Sequence, residues 1–224
     1  MGEMIEYVCP NGDHVPGYLA KADQVESALV VLSEWWGLQD QIKGICDRFA
    51  QQGVTALAPD LFGGKVVAYH DMSEANKLME SLDFMDATDE KIGGAVSYLK
   101  VTSKKVGLTG FCMGGALTIL GAMRLKGIDA AICFYGLPPE EAGDVARIKV
   151  PLQGHFASED FWCTPPVVAA CEQKLKQGGV DYQFYTYAAQ HAFMNEQRSD
   201  VYDAQAADQA WQRCIEFCRQ HLTD

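Results

Sequence analysis

Cys112 sits at the centre of Gly110-Phe111-Cys112-Met113-Gly114, with Gly115 following. This is the G-x-nucleophile-x-G spacing of a strand-to-helix elbow, with cysteine where serine is usual. Glycines flank such a position for a steric reason, since side chains there would collide with the neighbouring strand and helix. The bend lifts the sulfur clear of the sheet. A free thiol has a pKa of about 8.5 and becomes a useful nucleophile only beside a base or a helix N-terminus. His191 is the candidate base and Asp160 the group that would orient it. Each follows a predicted strand, and the chain order Cys, Asp, His is the order this elbow calls for. The chemistry implied is acyl transfer: attack on an ester or lactone carbonyl, a thioester, then water. A buried cysteine in a glycine-rich turn would share the same five letters, and the partners are what weigh against that reading.

Four further positions bear on such a site. Glu34 follows an apolar strand directly and is an awkward carboxylate there, fitting a thiol contact or a substrate-orienting role. The N–H groups of Trp35 and Met113 are placed to receive a developing oxyanion, with the positive end of the helix after Cys112 adding to them. Trp35 and Phe193 are the candidate substrate contacts among several aromatics that could wall a pocket. His155 is a decoy, close to Asp160 in HFASED but placed to pack or cap. Glu159 is a rival orienter, and Asp60 reads as a residue that fixes a loop.

The elements that must carry these residues alternate. Residues 4–9 and 15–20 flank Pro10-Asn11-Gly12-Asp13 and read as a β-hairpin. Strands are expected at 27–33, 54–58, 106–108, 128–135, 150–154 and 180–187. Helices are expected at 38–52, 116–123, 164–177 and 202–218, with a loop at 65–73. Helical periodicity over 73–99 implies two helices, with a break at 86–89. SALVVLS at 27–33 has the unbroken apolar character of a central parallel strand. The order predicts one domain, residues 1–224: an α/β-hydrolase domain whose mainly parallel sheet is covered by helices, behind an N-terminal hairpin.

Composition narrows the function classes. The 224 residues are 48% hydrophobic, and 18 Lys and Arg against 30 Asp and Glu leave a net charge of −12. An acidic surface without a basic cluster excludes nucleic acid and anionic membrane as expected partners. The N-terminus carries acid early and lacks an apolar run, and eight cysteines without C-x-x-C pairing point to reduced thiols, so a cytoplasmic setting is expected. TGFCMGG matches neither the dinucleotide fingerprint nor a P-loop. No metal site is expected from histidines at 14, 70, 155, 191 and 221 without H-E-x-x-H, and direct acylation of cysteine requires no cofactor. The expected partner is a small lactone or ester. A monomer is the expected state, with a homodimer as the alternative.

Along almost its whole length the chain resembles the dienelactone hydrolase (carboxymethylenebutenolidase) family of α/β-hydrolases. SEWWG, ALAPDLFGG, GFCMGGALTIL, the loop ending at Asp160 and YTYAAQHAF carry the likeness. The resemblance implies a Cys112, His191, Asp160 triad, an oxyanion hole from the Trp35 and Met113 amides, and Glu34 restraining the cysteine until substrate binds. It also implies opening of an unsaturated, carboxylate-bearing lactone. The chain departs from the family at the substrate shell. The expected arginine and tyrosine fall on Met72 and Asn76, and a second arginine falls on Asn195. Neither methionine nor asparagine replaces a bidentate guanidinium, and Lys65 or Lys77 is the available substitute. The rival reading is a noncatalytic or regulatory binding protein on the same fold, with a pocket and an inert Cys112.

Overall fold

In the computed structural model, which describes residues 1–23 and 27–223, eight strands form one sheet in the order β1-β2-β4-β3-β5-β6-β7-β8. The hairpin β1 (Glu3–Val8) and β2 (His14–Ala20) joins the sheet antiparallel through β4 (Thr55–Pro59). All remaining pairings, through β3 (Ser27–Leu32), β5 (Lys105–Phe111), β6 (Ala130–Phe134), β7 (Leu152–Glu159) and β8 (Tyr182–Gln190), are parallel. Central β3 and β4 are buried at every residue, while edge strands β1 and β8 expose several side chains. Helices must therefore cover both faces of the middle.

The period-2 alternation of β3 shows how they do so. Val30 and Leu32 pack into the core beneath α4 (Gly93–Lys100), α5 (Met113–Arg124) and α6 (Pro165–Gly178). Leu29 and Val31 face α1 (Asp40–Gln51) and α7 (Ala204–Leu222) on the opposite side. Ile42, Ile45, Cys46 and Phe49 form the buried stripe of α1 at the spacing a helix requires.

Strands β5 and β8 and helix α7 run three or four residues further than expected, to Phe111, Gln190 and Leu222, and three other boundaries differ in ways that bear on the packing. The break in the 73–99 segment falls after α2 (Met72–Glu80), where the Asp83 carboxylate caps α3 (Phe84–Asp86) by accepting from the Met85 and Asp86 amides at 2.9 and 3.0 Å. The expected break at 86–89 is helical: a π-turn, Ala87–Ile92, runs straight into α4. Second, β7 continues through His155 to Glu159. Third, α5 starts at Met113, because Gly114 and Gly115 belong to its first turn rather than to a loop. A Cβ on Gly115 would come within 2.6 Å of the Phe134 carbonyl, and one on Gly114 within 2.7 Å of that of Ser33.

Candidate active site

The end of β5 hands directly to α5 with one residue between them, and that residue is Cys112. Its φ of 55° and ψ of −118° lie outside the regions an L residue favours. Two backbone bonds hold it there: its N–H donates to Phe134 at 3.0 Å, and its carbonyl accepts from Ala116 at 3.1 Å. Among the described residues, the other non-glycine positions at positive φ are Tyr135 and Ala192. They follow β6 and β8 at the same end of the sheet, so the unusual backbone collects around one place.

Asp160 and His191 reach Cys112 from the ends of β7 and β8. Asp160 Oδ2 accepts from His191 Nδ1 at 2.7 Å, and Oδ1 accepts from the amides of Trp162 at 2.7 Å and Cys163 at 2.9 Å. With Nδ1 committed to Asp160, His191 meets the Cys112 thiol through its other ring nitrogen. Burial opposes charge on His191, but the sulfur and the carboxylate outweigh it and its pKa is pushed up to about 10. Burial lifts the Cys112 thiol above its ordinary range, and Glu34 adds to that, while His191 and the Met113 N–H pull it back. The sulfur and the ring thus share one proton: His191 is raised only while the sulfur is ionised, and when the sulfur holds the proton as a thiol the ring is neutral and free to act as its base.

Glu34 is buried at the end of β3 and is the centre of a small polar network. Asn195 donates to one of its oxygens at 2.8 Å and the Tyr135 hydroxyl to the other at 3.3 Å. Burial raises its pKa, against the pull of Asn195, His191, Arg198 and Tyr135. Trp35 occupies the turn just beyond. The turn's own backbone bonds run from Gln39 to Gly37 and from Val67 to Trp36, leaving the Trp35 amide outside them. Met113 provides the first amide of α5, directed in this resting state at the Cys112 sulfur.

A cavity of about 320 Å³ opens over the thiol, lined by Glu34, Trp35, His191 and a largely apolar wall that includes Met72, Phe161 and Trp162. Phe193 is not part of that wall. It is wholly buried beneath it, its ring 5.3 Å from Tyr135 and 5.2 Å from Tyr187, so it supports the floor and does not meet a ligand. His155 lies in the sheet, fully buried between Phe134 and Tyr185 and bonded to Tyr187 and Gln153 at 2.8 Å. Glu159 lines the cavity but does not bond to His191. Asp60 fixes its own loop by accepting from Phe62 and Gly64.

Sequence reasoning missed three participants. Asn195 reads in the sequence only as the position of a lost arginine, whereas its side chain is committed to Glu34. Tyr135 is one of the aromatics that the sequence offers only as a pocket wall, and its hydroxyl joins the same network. Neither Lys65 nor Lys77 lines the cavity. The guanidinium there belongs to Arg198, paired with Asp200 and standing 5.8 Å from the Trp36 ring. Its place on the loop carrying His191 was the available signal. Among the described residues no group of three or more His, Cys, Asp or Glu could hold a metal, and no helix is long and apolar enough to cross a membrane.

Residues 15–222 match the model of the dienelactone hydrolase family. The chain is 39% identical to Protein usf of Aquifex pyrophilus, over 100% of both chains. It is 36% identical to a candidate carboxymethylenebutenolidase of Aquifex aeolicus, over 99% of this chain and 100% of that one. Among solved structures, a candidate dienelactone hydrolase of Klebsiella pneumoniae superposes with a TM-score of 0.87 at 26% identity, covering 98% of this chain and 99% of the other.

Proposed function

Because the chain belongs to the dienelactone hydrolase family, we propose that it hydrolyses a small lactone or carboxylic ester with Cys112 as the nucleophile. The observation that carries this reading is the continuous contact from the Cys112 thiol through His191 to Asp160 at the mouth of the cavity. The family places the chain among hydrolases, and the thiol, base and orienter supply the means.

In this mechanism His191 takes the thiol proton as Cys112 Sγ attacks the carbonyl carbon. The carbonyl oxygen becomes an oxyanion facing the amides of Met113 and Trp35, while the N-terminal end of α5 adds positive potential. Collapse breaks the C–O bond, and the departing oxygen takes the proton from His191. In a lactone the departing oxygen stays attached to the acyl chain. Water then gives a proton to His191 and attacks the thioester, releasing a carboxylic acid and restoring the thiol. Glu34 restrains the resting sulfur, since negative charge beside it disfavours thiolate. Asn195 is occupied by Glu34, and the Arg198 fork is closed on Asp200. Both features favour small neutral lactones and activated esters over carboxylate-bearing ones.

Intact-mass spectrometry during turnover of a lactone and ester panel tests the reading. A substrate-sized adduct on Cys112 and loss of turnover in Cys112→Ala are the expected results. An active Cys112→Ala enzyme would overturn the nucleophile. A folded protein that binds these compounds without hydrolysing them would favour the noncatalytic binding protein.

A further inference from the structure

Phe161 and Trp162 follow Asp160 directly, yet they are left in water: Phe161 is 75% exposed and Trp162 38%. Exposed residues of this size are informative when they sit together beside a functional group. Their ring centroids lie 5.1 and 5.9 Å from His191, and both line the cavity. Their exposure is not looseness of the loop. The Asp160 carboxylate that receives His191 also accepts the Trp162 and Cys163 amides, so the backbone carrying the two rings is fixed by the orienter of the base.

The cavity matches them in chemistry. Trp35 and Trp36 make an edge-to-face pair 5.2 Å apart, and Met72, itself 51% exposed, lines the same space. Aromatic rings attract further rings at centroid spacings of about 4.5–7 Å, and methionine sulfur adapts to ring edges. The one guanidinium among the described lining residues is engaged by Asp200. At about 320 Å³ the cavity is at the small end of ligand sites, which run from about 300 to 1,000 Å³, and suits one fused bicyclic molecule.

We propose that Phe161 and Trp162 form an aryl subsite beside His191, and that the substrate class of this pocket is an aromatic ester or aryl-fused lactone. The assignment rests on the hydrolase reading and narrows it. The ring of the substrate covers the two exposed faces while its carbonyl meets Cys112. A side chain that merely shields His191 would affect all substrates alike, whereas an aryl subsite discriminates among them.

The test compares 3,4-dihydrocoumarin with δ-valerolactone, six-membered lactones with and without a fused ring, on the full chain and on Phe161→Ala, Trp162→Ala and Trp162→Phe. Differences in intrinsic reactivity cancel when each variant's ratio of kcat/KM values is compared with that of the unaltered protein. Either alanine variant should lower the aryl-to-aliphatic ratio about tenfold, mainly through KM, as expected for a lost ring contact. Trp162→Phe should restore most of it. Phe161 is so exposed that its removal takes away little packing, so Phe161→Ala remains a test if Trp162→Ala folds poorly. An unmoved ratio with both lactones slowed equally would overturn the subsite and leave the hydrolase reading standing. Failure of the unaltered protein to open either lactone or to acylate Cys112 would overturn both.

Discussion

The sulfur of Cys112 depends on its neighbours for both geometry and charge. Asp160 fixes the His191 ring through one 2.7 Å bond, so Asp160→Asn should leave the fold in place but offer the ring an amide in place of a charge. Turnover should fall on the order of 10⁴-fold by analogy with triads in general, and the pH midpoint for alkylation of Cys112 by iodoacetamide should move, because the carboxylate is part of what raises His191. An unchanged midpoint would remove Asp160 from the electrostatics of the site. Asn195 makes a different prediction. It donates to a carboxylate that is itself buried, so Asn195→Ala strands that oxygen and should destabilise the protein by about 1–3 kcal/mol. Chemical denaturation measures this, and a neutral effect would mean that Glu34 finds another donor. Cys112, Asp160 and His191 were legible in the sequence because their types, their chain order and their places after strands are local properties. Asn195 and Phe193 were not. Whether a loop residue two or four places past a histidine turns toward a ligand or into the floor is decided by Tyr135 and Glu34, which arrive from other strands.

At the level of elements, the elbow works because β5, β3, β6 and α5 approach more closely than side chains allow. Gly115→Ala places a methyl group against the Phe134 backbone carbonyl, which has no rotamer to escape through. The variant should lose at least about 1–3 kcal/mol of stability, as overpacked cores do. Thermal unfolding tests this, and wild-type stability in the variant would show that the β6 carbonyl can move. The hairpin, parallel strands and helices were readable because runs such as SALVVLS and the α1 stripe state their burial in their spacing. The break in the 73–99 segment lies earlier than its polar residues suggest, for a physical reason. Asp86 and Asp89 look like a polar interruption, yet Asp89 pairs with Arg124 from α5 and the chain continues through a π-turn beneath it. The real break is made by the capping carboxylate of Asp83. The extension of β7 through His155 was hidden in the same way, since a histidine reads as polar until the rings of Phe134 and Tyr185 stack on it.

Over the whole molecule, charge and burial set the response to pH and salt. Burial lowers the His155 pKa to about 3, so the folded state keeps it neutral while the unfolded chain titrates near 6.5. That contribution to stability is complete above pH 6.5 and is lost as the pH falls toward 3; by pH 5.5 the loss is roughly 1.4 kcal/mol. Denaturant midpoints at pH 7.5 and 5.5 should therefore differ less in His155→Gln than in the unaltered protein, and equal differences would refute the assignment. The net charge of −12 acts on substrates as well. A net charge of this size gives the molecule as a whole a field that slows the approach of an anion, and the guanidinium lining the cavity, on Arg198, is already matched by Asp200. Salt screens such a field over about 10 Å at 0.1 M. For a lactone bearing a free carboxylate, kcat/KM should rise between 0.01 and 0.3 M salt, a range chosen to span roughly the long and short screening regimes, while its neutral methyl ester should remain nearly flat and be the better substrate. Local attraction to Arg198 would give the opposite sign: the anion preferred, its advantage falling with salt and disappearing in Arg198→Gln. The direction of the salt slope therefore decides whether the distant surface or the cavity cation governs recognition of charge.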